Sequence, residues 1–551
     1  SLTLGLLEGR IQFEGPIVKD RTAFNVAIRR TWMDLLTAPA CAIMNTSRID
    51  KQNFRYAFHD INAKITHLFS DKSRADISLY SGNDLLKVDN KSYAFTSELS
   101  NLTKFNLQWG NITASANWKY IFSHKLFANI TGVYTHNRTM FDYHSEERLG
   151  YIEGLEGEII KIKNNHSTIH DFGYRMEFDY RPNTWNHIRF GSNYMRHIFK
   201  PQDYLSKFDN VTQSESTNTI KSKYKSNEFT VYAEDDIRIN RNIKLNGGLH
   251  YTMFGIAGTM YHSIEPRAAI NLRLCDKASF KASYTEMSQF MHLLSATYLN
   301  LPTDYWVPST ERISPMRARQ YAAGIYTKLP YGINFSIEGF YKTMNNLIEY
   351  DGSDGTLSPT AEQWENKVRT GKGKAYGMEA DISFRKAQTS VEASYTLSWN
   401  RRLFPDFHYT WYPDKFDNRH KLSINLSHKF NDRIDVYASW NYHSGNRITI
   451  PTQQTEAPVI PGTEQPNGNM MIYEAPNNIS LPAYHRLDLG INFRKITKRG
   501  FERIWNISIY NAYCRKNPLY ATVEQKPDGT FIGKGHGIFP IIPSFSYTIK
   551  F

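Results

Sequence analysis

The chain has 551 residues, of which 40% are hydrophobic and 14% aromatic, and its formal net charge is +13. A mean hydropathy of −0.53 leaves no run of the ~20 apolar residues that a membrane-spanning helix needs. Three cysteines without metal-type spacing exclude a disulfide framework, and the scattered Lys and Arg argue against a nucleic-acid binder. High aromatic content at low hydropathy fits a membrane β-barrel, where every second residue faces lipid and aromatic girdles ring both interfaces. A large soluble all-β protein is the alternative at this level. A basic lumen, or loops facing anionic lipopolysaccharide, would account for the charge.

In chain order, Leu2 to Leu6 alternates and predicts a first strand, and Val18-Lys19-Asp20-Arg21 predicts a tight turn. A longer polar stretch covers 37–52, and Ser70-Asp71-Lys72-Ser73 is the next short turn. Polar 136–167 reads as a long loop, followed by the turn Arg181 to Asn186 and the loop 200–224. Turns follow at Asn240-Arg241-Asn242 and Cys275-Asp276-Lys277, a loop at 293–316, and a turn at Leu329-Pro330-Tyr331-Gly332. After the loop 350–371, Met378, Ala380, Ile382 and Phe384 alternate with Glu379, Asp381, Ser383 and Arg385. The loop 402–418, the turn Asn431-Asp432-Arg433 and the loop 447–480 come next. Leu487, Leu489, Ile491 and Phe493 then alternate with Arg486, Asp488, Asn492 and Arg494. A turn at Thr497 to Gly500 and a loop at 514–539 precede the last strand, Ser544 to Phe551, whose odd positions are large and apolar.

Successive strand side chains point to opposite faces, so each such strand presents one lipid-compatible face and one suited to a wet lumen. Alternation alone does not separate this from a sandwich. The regular exchange of short turns and long loops does, because outer-membrane barrels keep short turns on the periplasmic rim and long loops outside. The expected fold is therefore all-β: a transmembrane antiparallel β-barrel of about 22 strands over residues 1–551. Its candidate lumen-facing residues are Glu379, Asp381, Arg486, Asp488 and Arg494, and Phe545, Tyr547 and Phe551 form the expected C-terminal assembly signal.

Two aromatic groups stand out as candidate extracellular ligand contacts: Tyr305 and Trp306 between prolines, and Tyr409, Trp411 and Tyr412. Such rings stack on sugars or peptide side chains, although interfacial girdle packing explains most of them. His166 and His170 have i, i+4 spacing without the Glu of a helical zinc site, in sequence that reads as solvated loop. Gly371-Lys372-Gly373-Lys374 lacks phosphate-loop spacing, and no Gly-x-Ser-x-Gly elbow occurs. No catalytic residue, metal site or cofactor is expected, and no enzyme.

The residues resemble the TonB-dependent outer-membrane receptors, in the form common in Bacteroidota. The resemblance rests on Glu14-Gly15-Pro16-Ile17 with Ile28-Arg29-Arg30-Thr31, Glu265-Pro266-Arg267 with Ser283 to Gln289, and Gly339-Phe340-Tyr341-Lys342. It continues through Tyr376-Gly377-Met378-Glu379, Asp417-Asn418-Arg419-His420, Tyr484 to Asp488, Tyr510-Asn511, Lys516-Asn517-Pro518 and the terminal Phe551. It implies an N-terminal plug that fills the barrel, a box that engages a TonB-type energy-transducing complex, and often a carboxypeptidase-regulatory-like domain. None of these is in the sequence, and the expectation is that they lie upstream, as would a signal peptide. The function implied is energised uptake of a nutrient ligand through a plugged lumen in the bacterial outer membrane. A scaffold or adhesion barrel in a larger outer-membrane complex is the alternative. Expected partners are outer-membrane lipid and lipopolysaccharide, the energy-transducing complex, and a surface lipoprotein or other outer-membrane protein docking on the 447–480 loop. No nucleic acid is expected.

Overall fold

The computed structural model describes residues 1–551 except 47–49, 94–98, 153–154, 210–214, 295–303, 351–361, 457–468, 519 and 538–539. One antiparallel sheet closes into a barrel of 22 strands, with the short segments Glu215–Lys221 and His408–Pro413 added to neighbouring strands above it. Closure joins the first strand, Leu2–Gly5, to the last, Ile542–Lys550, in a register running from Leu2↔Ile549 to Gly5↔Ser546. Such closure pairs the backbone groups internally, which hydrocarbon requires. Among the described residues no helix is long and apolar enough to cross a membrane, a fact without bearing on crossing by strands.

The short turns fall where the local chemistry demands them. At Pro330–Gly332 the proline fixes the entry, and Tyr331 (φ 63°) and Gly332 (φ 78°) reverse the chain in left-handed conformations. Two further turns on the same rim, 124–125 and 387–388, lack a strong turn signature and escape sequence reading. On the opposite rim one connection that none of the expected loops covers is a two-residue hairpin at Ala257-Gly258, both at positive φ (47° and 89°).

Several expected loops are regular structure. The stretch 136–167 is not a loop: it lies on the strands Leu126–Ile152 and Leu155–Tyr180, paired from Leu126↔Tyr180 upward. These strands run past the membrane into water, so both faces are polar and the alternation that marks a strand disappears. Part of 37–52 is the helix Met33–Thr46. It packs beside the strand Lys51–Ser70 above the point where the strand Thr22–Thr31 stops. Its Thr37 hydroxyl donates to the Phe54 carbonyl (3.0 Å), and Asn45 exchanges two bonds with the Gln52 backbone (2.9 and 3.0 Å), which covers an open strand edge. Within 200–224 the strand Asn186–Asp209 continues and pairs with Glu215–Lys221. Hairpins Gln453–Glu456 with Asn469–Ile472, and Tyr520–Gln525 with Phe531–His536, order parts of 447–480 and 514–539. Pro458, Pro461 and Pro466 of that first loop lie outside the described residues.

Candidate ligand site on the outer rim

Two strand ends, a folded-back segment and a short hairpin build a cavity of about 250 Å³ on the long-loop rim. The strand Ile333–Tyr350 delivers Ile348, Glu349 and Tyr350, and the strand Thr389–Phe404 delivers Arg402. The chain then folds back so that Tyr412 sits opposite Arg402, followed by Asp414, Lys415 and Phe416. From the other side the hairpin Met291–Leu294 with Tyr305–Pro308 contributes His292, Leu293 and Trp306. Leu294, Tyr305, Val307, Ile313, Ile348, Tyr350, Trp364 and Val368 pack into one buried cluster beneath it, a small core outside the membrane. Burial of this much apolar surface lets loop segments hold a shaped site.

The electrostatics are concentrated in one buried group of charges. Arg402 pairs with Asp414 through its Nε and approaches Glu349 at 3.6 Å, and the Tyr412 hydroxyl donates to Glu349 (3.2 Å). Asp414 also accepts from the Phe416 backbone N–H (2.8 Å), so its carboxylate is satisfied although almost wholly buried. Burial pushes the Glu349 carboxyl up and the Lys415 ammonium down. Fully buried His292, bonded to the Ser309 hydroxyl (3.2 Å), is driven down to about 4 by desolvation and is neutral at pH 7. The wall therefore offers cationic, anionic and neutral hydrogen-bonding groups beside Trp306 and Phe416, a set suited to orienting a polar organic ligand.

The two aromatic groups singled out in the sequence meet here. The Tyr305 and Tyr350 hydroxyls are hydrogen-bonded to each other, and Tyr412 bonds the adjacent Glu349. Tyr305 and Tyr412 are buried supports, whereas Trp306 lines the cavity and Tyr409 is 89% exposed. Trp411 carries the Lys374 ammonium 4.2 Å from its ring centre. Arg402, Glu349, Asp414, Lys415 and His292 were not singled out, because isolated charged residues in loop sequence carry no spacing signal.

The other candidates sit elsewhere. Arg486 pairs with Asp488 (2.9 Å) and lies over the Tyr510 ring (4.2 Å), and Arg494 pairs with Asp435 (3.0 Å). Glu379 stands in register opposite Glu338, which accepts from Tyr326 (2.7 Å), and Asp381 stands opposite Ser336. Phe545 and Tyr547 flank Trp505, with ring centres 5.3 and 4.4 Å away, and Phe551 meets Phe501 edge-on at 6.4 Å. Asp417 and Asn418 are buried loop staples: Asp417 accepts from the Asn400 N–H (2.8 Å) and Asn418 donates to the Ser444 carbonyl (2.7 Å).

His166 and His170 are on a strand, not in a loop, so their spacing puts them on one face roughly 13 Å apart, too far to share a metal. His166 pairs with Asp142 (2.7 Å), and His170 stacks on His136 at 4.1 Å. Among the described residues no group of three His, Cys, Asp or Glu forms a metal-binding cluster. Gly371 to Lys374 lies inside the strand Val368–Lys386. Cys41, Cys275 and Cys514 are free thiols.

A family model described as TonB dependent receptor-like, beta-barrel, matches residues 42–512. No curated protein matches the chain. Among solved structures, the FpvA protein of Pseudomonas aeruginosa bound to heterologous pyoverdines is similar at a TM-score of 0.62 and 13% identity, over 99% of this chain and 70% of that one. The ferric yersiniabactin uptake receptor FyuA of Yersinia pestis gives 0.62 and 10%, over 100% and 79%. The copper transporter OprC gives 0.62 and 8%, over 100% and 78%. At these identities the likeness is one of fold.

Proposed function

Because the chain belongs to the TonB-dependent receptor-like β-barrel family, we propose that it is the barrel of an outer-membrane receptor of the Bacteroidota type that takes up a scarce nutrient by energised transport. The observation that carries this reading is the ion-paired, aromatic-edged cavity held by a core of its own on the outer rim. Trp306, Tyr409 and Trp411 would touch the ligand, with Tyr305 and Tyr412 holding the walls. Arg486, Asp488, Arg494, Glu379 and Asp381 would line the path through the lumen, around a plug contributed by an upstream part of the chain. A TonB-type complex would pull that plug. Phe545, Tyr547 and Phe551 would present the assembly signal. The cargoes named for the similar structures, ferric siderophores and copper, support a metal-bearing ligand as the first class to try.

The test is uptake of labelled ferric and copper complexes by cells with and without the gene, with and without a protonophore. Uptake that needs both the gene and the proton gradient supports the reading. Uptake indifferent to the gradient would overturn energised transport, as would a mature chain shown by N-terminal sequencing to start near Ser1.

A second reading, a scaffold whose loops dock a surface lipoprotein or other outer-membrane protein, is favoured by the exposed Met470, Met471, Ile472 and Tyr473. Purification from native membrane with a stoichiometric partner, lost when Met470 and Met471 become Ser, would support it.

A further inference from the structure

We propose that the periplasmic rim of the barrel is a binding surface for the anionic phospholipid headgroups of the inner leaflet. The inference rests on the outer-membrane placement, with the short turns periplasmic, and not on transport.

The chain's excess positive charge is distributed unevenly along the barrel axis. Nearly every short turn carries an exposed Lys or Arg, among them Lys19 and Arg21, Lys125, Arg241, Lys498 and Arg499. Among the described residues none of these six has an ion pair with a carboxylate. The few acids on the same turns do not neutralise them: Asp276 pairs with Arg273 and Asp432 with Lys429, cations that belong to the strands. In the connections of the opposite rim carboxylates outnumber Lys and Arg. The sequence left a basic lumen and basic outer loops as explanations of the charge. The outer loops do not hold it, because they are acidic; the strands hold part of it, some in ion pairs (Arg29 with Asp60, Arg74 with Asp76), and the short turns, with ten Lys and Arg against four Asp and Glu, are basic in their own right.

A second feature ties the ring to lipid. Large apolar side chains stand exposed within a few residues of the same turns: Phe69, Phe122, Trp185, Tyr331, Phe430 and Phe551. They extend the lipid-facing belt to the level of the turns, as aromatic girdles do where hydrocarbon meets headgroups. A turn cation about three residues from such a ring, as Lys72 is from Phe69 and Lys125 from Phe122, sits at the depth of the phosphates. Consecutive turns are two strand spacings apart, roughly 10 Å, about one Debye length at physiological salt. Their fields therefore add, and an anionic headgroup meets more than one cation. Lys19 and Arg21 on one side, and Lys498 and Arg499 on the other, flank the two strands that close the barrel, so the charge is densest at the seam.

The test uses the full-length protein in symmetric nanodiscs of phosphatidylethanolamine with or without phosphatidylglycerol, with boundary lipid measured by spin-labelled lipid association. The expected result is a several-fold preference for phosphatidylglycerol that falls towards unity in the K19Q/R21Q/K498Q/R499Q variant and in high salt. An outer-loop control, K526Q/K534Q, keeps the preference. Heat-modifiable gel mobility verifies that both variants fold. Equal association with the two lipids overturns the proposal. Loss of the preference to inorganic phosphate, at an ionic strength where chloride has no effect, assigns the ring to soluble phosphate and also overturns it. In intact cells a membrane-impermeant maleimide should label Cys514 and spare Cys275, which lies on a short turn. Labelling of Cys275 would show instead that the sidedness is wrong, a failure distinguishable from the absence of lipid preference.

Discussion

One side of the barrel stands far taller than the other. Leu99–Ser123, Leu126–Ile152, Leu155–Tyr180 and Asn186–Asp209 have 25, 27, 26 and 24 residues, whereas His420–Lys429, Ile434–His443, Glu502–Tyr510 and Ile542–Lys550 have 10, 10, 9 and 9. A membrane needs only about 9–11 residues per strand, so the low wall is as long as the bilayer demands and the tall wall more than doubles it. The two walls keep their order by different means. Above the membrane the tall wall bonds across both faces of its own ladder. Asn83 accepts from Gln108 (2.9 Å) and Arg138 (2.8 Å), and Asp171 accepts from Thr135 (2.8 Å) while paired with His197 (2.7 Å). The low wall has no such extension. It is topped by loops held through isolated buried contacts, such as Arg402 with Asp414 and Asn477 Nδ2 with the Pro413 carbonyl (2.9 Å). Strand length thus sets whether the outer surface is built by ladders or by loop cores.

The expected effect of widest extent separates the walls directly. Asp414→Ala leaves Arg402, part-buried beside Glu349, without its main partner, a change expected to cost up to about 3 kcal/mol, the low end for a buried pair. Hydrogen exchange should rise through residues 404–420, 443–456 and 469–484 while the strands 99–152 keep their protection. Spread of the effect into those strands would show that the walls are not independent.

Next comes a charge placed on each face of the wall. Leu489→Arg puts a cation on the lipid face of the low wall and should cost about 2–4 kcal/mol. Asn137→Arg, exposed on the lumen-side face of the tall wall, should cost less than about 0.5 kcal/mol. Urea titration in lipid vesicles measures both, and equal costs would mean that contact with lipid is not what makes position 489 intolerant of charge.

A smaller effect follows from pH. His292 titrates near 6.5 when its hairpin is released and at about 4 when packed. Below pH 6.5 the released form gains a proton that the packed form refuses, so packing weakens by about 1.4 kcal/mol per pH unit down to about 4 and is unchanged above 6.5. Limited proteolysis at pH 5 should cut within 291–308 faster than at pH 7, and His292→Gln should remove the difference.

The smallest effect is at Lys534, whose half-exposed pair with Glu524 (3.0 Å) ties the hairpin 520–536. Lys534→Ala should change stability by about 0–1 kcal/mol, within the scatter of replicate thermal melts.

The barrel, its strand number and the sidedness of its connections were legible because turn chemistry and period-two alternation are local. Val18 to Arg21 or Thr497 to Gly500 announce a reversal whatever the rest of the chain does. The tall strands were not legible. Between 136 and 167 solvent on both faces removes the hydrophobic period, and ladder pairing, a non-local property, is what makes Leu126–Ile152 a strand. The rim cavity was half legible: its aromatic residues stood out by composition, but its charges did not.

The sequence by itself determined that this chain crosses the outer membrane as a closed antiparallel barrel, because lipid imposes one repeating pattern on every strand. It also determined that aromatic residues gather at 305–306 and 409–412. Only the tertiary structure decided that those two groups meet on Glu349 and Tyr350, that one wall rises well above the other, and that the turn cations form a ring on one rim. Each of these depends on which residues far apart in the chain become neighbours, and that is settled by strand register and closure.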